Sequence, residues 1–233
     1  MFRTHRIAAL AASAAMVSAG LTVGVSAGTA AAAEGCEVRS YQTKQDISTV
    51  GIKHIYEKIA SAETIGVGTT VTYTIIIGTT SIGNPYVNTI TDFPPSGFGS
   101  PIKTTITAYH VVGGQRTEEV TASPNAGGWK VTNTGWFVNS GNPLTMNITY
   151  SVPGNLPKGQ QITSGGVGVA GTVGVSNEMP DLTACFTTRA PNAGEGVVGS
   201  LGNNGLGSSD GQLSSTGSFS DVIADVIKKY IGS

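Results

Sequence analysis

The stretch Thr70-Val71-Thr72-Tyr73-Thr74-Ile75-Ile76-Ile77 decides the fold. Val71, Tyr73, Ile75 and Ile77 alternate with Thr70, Thr72 and Thr74. Successive side chains of a strand point to opposite faces, so the first set looks into a core and the threonines look away from it. Gly78 ends the run, Ser81-Ile82-Gly83-Asn84-Pro85 supplies turn chemistry, and Tyr86-Val87-Asn88-Thr89-Ile90-Thr91 resumes extended structure. Asp92-Phe93-Pro94-Pro95-Ser96-Gly97-Phe98 then interrupts it, because two prolines cannot occupy a central ladder. Asp92 is placed to anchor that turn by accepting backbone hydrogen bonds.

Working outward, residues 103–112, 116–121, 129–133 and 144–152 read as further strands. Gly113-Gly114 suits a hairpin connection, since both residues tolerate positive φ. Residues 161–175, where Val167, Val169, Val173 and Val175 alternate with small residues, and residues 182–187 complete the set. Upstream, residues 37–44 form an opening strand with Val38 and Tyr41 as core contacts. Ile52, Ile55, Tyr56 and Ile59 also match one face of a short helix, but the segment is read as β. Seven or eight short strands in about 150 residues describe an all-β, two-sheet sandwich.

Composition agrees. Charged residues make up 12% of the chain and aromatics 6%, against 33 glycines and 10 prolines, which favours turns and short strands over long surface helices. Arg3 and Arg6 head an apolar Ala/Val-rich run that ends in Ala31-Ala32-Ala33, the pattern of a cleaved secretory signal over residues 1–33. Glycines and serines interrupt that run, which favours cleavage over a retained anchor. The product, from Glu34, carries 11 bases against 14 acids, a formal charge of −3, with no concentrated positive charge for nucleic acid to meet. The expected location is extracellular or envelope-associated.

The sequence holds two cysteines, Cys36 and Cys185. In an oxidising compartment two otherwise unassigned cysteines most simply pair, and their wide separation argues against a redox couple of the C-x-x-C kind. Closing a loop of about 150 residues stabilises by about 5 kcal/mol in the chain-entropy account.

The β region is expected over residues 34–189, followed by a Gly/Ser/Asn-rich tether over residues 190–217. Phe219, Val222, Ile223, Val226, Ile227, Tyr230 and Ile231 then recur at helical spacing and predict a short amphipathic helix over residues 218–231. Asp221 suits the positive end of its dipole, and Lys228 and Lys229 the negative end. A helix this short needs a surface to bury its stripe. That surface is its own sandwich, a second copy, a protein partner, or an envelope component, with lipid included.

The runs Gly68-Thr69-Thr70-Val71-Thr72-Tyr73-Thr74-Ile75-Ile76-Ile77 and Val87-Asn88-Thr89-Ile90-Thr91-Asp92-Phe93-Pro94 resemble the DUF11-type repeat of bacterial surface proteins. Thr72, Tyr73 and Thr74 match its first signature, and Thr91, Asp92 and Pro94 its second. The resemblance implies an immunoglobulin-like sandwich serving as a spacer or display module in secreted and cell-surface proteins. The T-N-x-G that follows the first strand in that family is replaced here by residues 78–83, and its later T-N-x-A-x-V section is echoed only by Thr172-Val173-Gly174-Val175-Ser176-Asn177. The leader and Ala-rich composition resemble those of actinobacterial secreted proteins.

No arrangement in the sequence specifies catalysis, a cofactor or a metal. His54 and His110 have no neighbouring ligand cluster. Ser100-Pro101-Ile102-Lys103 has the bare S-x-x-K spacing, but Pro101 favours a loop and no K-T-G follows. The expected protein is therefore a non-catalytic structural or interaction module. Trp129 and Trp136 are expected to pack in the core or a hairpin; the alternatives are a carbohydrate- or protein-binding module using them as exposed contacts, or a hydrolase with a spatially assembled site.

Overall fold

In a computed structural model, residues 35–45, 51–80, 85–193 and 195 are described. The expected signal segment, most of the tether and the helix with Phe219, Val222, Ile223, Val226, Ile227 and Tyr230 lie outside them. The described residues form fourteen strands: β1 Arg39–Gln45, β2 Lys53–Ala60, β3 Thr64–Gly66, β4 Thr70–Thr79, β5 Tyr86–Asp92, β6 Lys103–His110 and β7 Gly114–Glu119, then β8 Ser123–Asn125, β9 Gly128–Phe137, β10 Leu144–Ser151, β11 Gln161–Thr163, β12 Val167–Gly171, β13 Asn177–Met179 and β14 Cys185–Arg189.

The strand that opened the sequence reading becomes β4, and Val71, Tyr73, Ile75 and Ile77 are all fully buried. Each large apolar side chain taken out of water contributes about 1.5–3 kcal/mol, so this alternation sets which face of the sheet turns inward. β4 lies between β2 and β10, both antiparallel to it. On the other face Thr74 donates to Asn147 at 2.8 Å and Thr72 meets the Thr149 hydroxyl at 2.8 Å, cross-strand pairs that satisfy the polar row.

Eleven strands belong to one sheet, whose main path runs β1-β2-β4-β10-β6-β9-β5-β12-β13, with β7 beside β6 and β8 beside β9. At its middle, β6 and β9 share a single paired position, Tyr109 with Phe137. The sheet folds back there. In a flat sheet β2 and β5 would stand about 24 Å apart, five strand spacings, yet side chains of the two touch at 2.7 Å. β11, β14 and β3 make a separate three-stranded sheet, in which β14 and β3 run parallel. The interior between the two halves is filled by Tyr56, Tyr73, Tyr150, Phe186 and a set of isoleucines and valines.

Several expectations change. The strand count rises because β3, β8 and β13 are only three residues long and carry no periodicity of their own. The run 161–175 is two strands in different sheets, broken at Ser164-Gly165-Gly166. Val173 is not a core residue: it is 54% exposed and sits at φ 50°, a left-handed conformation that is strained for a β-branched side chain. Its carbonyl accepts from His54 Nε2 at 3.1 Å, which helps to hold the turn. Tyr41 is 56% exposed, whereas Val38 does pack against the core. Gly113 and Gly114 take φ of 99° and 71° and close the β6–β7 hairpin as expected.

Cys36 and Cys185 are joined. The bridge fastens the segment before β1 to the first residue of β14, and Cys185 N–H donates to the Glu37 carbonyl at 2.8 Å beside it. The tether begins in an ordered way, since Arg189 donates in a fork to Glu195 at 2.7 and 2.6 Å. The hydrogen bonds from Arg189 hold the Glu195 carboxyl below its ordinary value.

Candidate functional site

The two halves of the curled sheet meet at a buried charged cluster. On β2, Tyr56, Lys58 and Ala60 share the face that looks into the core, and on β5 Ile90 and Asp92 share the corresponding face. Lys58 Nζ lies 2.7 Å from Asp92 Oδ1, and both side chains are 0% exposed. That contact is an ion pair sealed from solvent. Nζ also donates to the carbonyls of Gly165 at 2.8 Å, Phe93 at 3.3 Å and Gly166 at 3.4 Å.

Aromatic rings complete the enclosure. Tyr150, on β10, donates its hydroxyl to Asp92 Oδ2 at 2.7 Å. Tyr73 places its ring 4.9 Å from Lys58 Nζ, a cation–π distance, and lies 6.2 Å from the Tyr150 ring. Burial lowers the Lys58 amine from its ordinary value while Asp92 opposes the fall. Burial also raises the Tyr73 and Tyr150 phenols, with the Asp92 charge acting in the same direction.

Gly165 and Gly166 allow this cradle to exist. A Cβ on Gly165 would come within 2.6 Å of Phe93 Cβ, and one on Gly166 within 2.0 Å of the Met179 carbonyl. The backbone there is pressed against two neighbours, which fixes the carbonyls that hold Nζ.

The buried phenols carry a measurable consequence. Tyr56, Tyr73 and Tyr150 all have folded values raised above the ordinary phenol value of 10.0. Their contribution to stability is complete below that value and is lost as pH rises above it, because the unfolded chain releases these protons first. In an alkaline titration followed by phenolate absorbance, these three of the seven tyrosines should ionise only together with loss of the β circular dichroism signal. A single smooth titration of every tyrosine in the folded protein would contradict the burial.

The residues singled out from the sequence are placed differently. Asp92 does not anchor its turn through backbone bonds: its carboxylate faces Lys58 and Tyr150. Trp136 is no surface contact, being 3% exposed with its indole N–H donated to Glu118 at 3.1 Å. Trp129 is half-buried and lines an open groove of ≈ 200 Å³ with Ser100, Lys103 and Glu119. Ser100 and Lys103 of the S-x-x-K spacing lie on a loop and at the start of β6, with no helix to set one over the other. Among the described residues no group of three or more His, Cys, Asp or Glu side chains could hold a metal.

Lys58 was not anticipated, although one signal was available: a lysine occupying the inward position between Tyr56 and Ala60 on a strand.

No family model matches the chain, and no curated protein matches it. Solved structures to which it is similar include the RrgA Jo.In complex, at 10% identity over 63% of this chain and 90% of that one, with a TM-score of 0.35. BcpA, the major pilin subunit of Bacillus cereus, is matched at 11% identity over 65% of this chain and 38% of that one, with a TM-score of 0.33. AvmM, which catalyses macrocyclization in alchivemycin A biosynthesis, is matched at 10% identity over 69% and 95%, with a TM-score of 0.31.

Proposed function

We propose that this chain is a non-catalytic structural or interaction protein, secreted or held at the cell envelope, whose body is an immunoglobulin-like two-layer sandwich of the DUF11 type. The observation that carries this reading is the way the body is tied. A disulfide joins its two ends, and a sealed lysine–aspartate contact joins the two halves of its sheet. Such ties restrict opening of the domain and suit a spacer or display body. The disulfide also supports an oxidising compartment. The return of the sheet at one β6–β9 pairing supports two layers.

The docking element in this reading is the stripe Phe219, Val222, Ile223, Val226, Ile227 and Tyr230, carried beyond the tether and taken up by an envelope component. With two lysines and two aspartates in that segment, apolar contact supplies the attraction in preference to charge. Deleting residues 218–233 should leave the β circular dichroism signal unchanged and move the protein from the envelope fraction to the medium. An unchanged distribution between the fractions would refute this assignment.

A further inference from the structure

We propose that Lys58 and Asp92 are the two ends of an intramolecular amide crosslink that the folded chain makes by itself, with Nζ of Lys58 bonding to Cγ of Asp92 and one water leaving. The site goes beyond the structural role proposed above and does not depend on it. Two observations carry it. The nitrogen and a carboxylate oxygen are 2.7 Å apart on two strands of a packed core. Both groups are fully removed from solvent, with Tyr73 and Tyr150 against them.

In water an ammonium and a carboxylate are inert toward each other, because the amine lone pair is occupied by a proton. A dry interior disfavours separated charge, and transfer of one proton from Nζ to Oδ1 leaves a neutral amine beside a neutral acid. The amine lone pair then forms the N–C bond at Cγ, and the carbonyl electron pair moves onto Oδ2. Tyr150 already donates to Oδ2 at 2.7 Å, in the position of an oxyanion donor, and is the catalytic residue of this step. Nitrogen passes a second proton to the departing Oδ1 hydroxyl, water leaves, and the carbonyl re-forms at Oδ2. An ammonium and a carboxylate have become one amide and one water, with no change of oxidation state and no further reactant.

The carbonyl cradle serves both ends of the reaction. The carbonyls of Gly165, Phe93 and Gly166 hold the nitrogen against Asp92 before it reacts, which replaces a chance encounter by a fixed one. The single N–H of the product keeps the Gly165 carbonyl, the nearest of the three at 2.8 Å, as its acceptor.

The test is the intact mass of the full-length secreted protein, isolated with its disulfide formed. The expected mass is one water below that of the disulfide-bonded sequence, and proteolysis should release a branched peptide joining the Lys58 and Asp92 segments. Lys58 should also resist amine acylation after denaturation. A mass at the full disulfide-bonded value, with Lys58 acylated once the chain is unfolded, would overturn the proposal. The Lys58→Met variant should regain the lost water; a deficit that persists without this lysine would equally overturn it. Because the wild-type mass decides the matter, poor folding of the variant would not leave it open.

Discussion

Asp92→Ala is expected to destabilise the protein by about 3–5 kcal/mol, the usual result of removing one partner from a buried charged pair. The reason is the lysine left behind. Lys58 is fully buried, and its nitrogen would retain three carbonyl acceptors but no negative charge. Tyr150 would lose the acceptor of its hydroxyl, adding an unsatisfied buried polar group. The expectation holds whether the pair is ionic or joined as an amide, because both forms end when the carboxyl is removed. Combining Asp92→Ala with Lys58→Met should recover part of the loss, since no charge then needs burying and methionine fills the volume of the lysine stem. Urea unfolding followed by tryptophan fluorescence measures both effects. A midpoint for Asp92→Ala equal to that of the wild type would mean that water reaches Lys58 and that the interior is not sealed there.

Residues 70–77 were legible because strand alternation is a local property: the side chains that bury in β4 are those the period selects. The Gly113-Gly114 hairpin was legible for the same reason, through a backbone requirement carried by two adjacent residues. The cysteine pair was readable by elimination, with two cysteines and an expected oxidising compartment. The charged site belongs to a different category. Lys58 and Asp92 are partners only because the sheet folds back between β6 and β9, a long-range event that neither local segment encodes. Asp92 therefore looked like a turn residue, since the prolines that follow it are real breakers and β5 does end there.

Trp136 packs into the core, as expected of these rings, and is not the exposed contact of the alternative reading. Residues 129–133 read as a strand that stops short of this indole, whereas β9 continues through Phe137 and carries Trp136 inward. The break at Ser164-Gly165-Gly166 depends on how closely Phe93 and Met179 approach that backbone. Glycines in an otherwise alternating run were the available hint.

Removing the Cys36–Cys185 bridge should produce the other large effect. The bridge spans 149 residues, nearly the whole body, so the unfolded chain gains more freedom from its loss than it would from a short-range bridge. The chain-entropy account gives about 5 kcal/mol, and for a domain of this size that corresponds to a fall in the melting temperature of about 10–20 °C. A Cys36→Ala, Cys185→Ala protein and the wild type under reducing conditions should both show the fall. Comparing them separates two causes. Cys185 is buried, so the alanine variant also gives up packing at the start of β14, while the reduced wild type keeps its sulfur atoms and gives up only the covalent closure. If closure dominates, the two should melt within a few degrees of each other, well below the oxidised protein. The native ladder supplies a reason to expect that result: Cys185 N–H bonds to Glu37, and Ala60 N–H bonds to Val38, each at 2.8 Å through backbone atoms that both forms retain. Equal melting of oxidised and reduced wild type would show instead that these hydrogen bonds and the core hold the chain ends without the bridge.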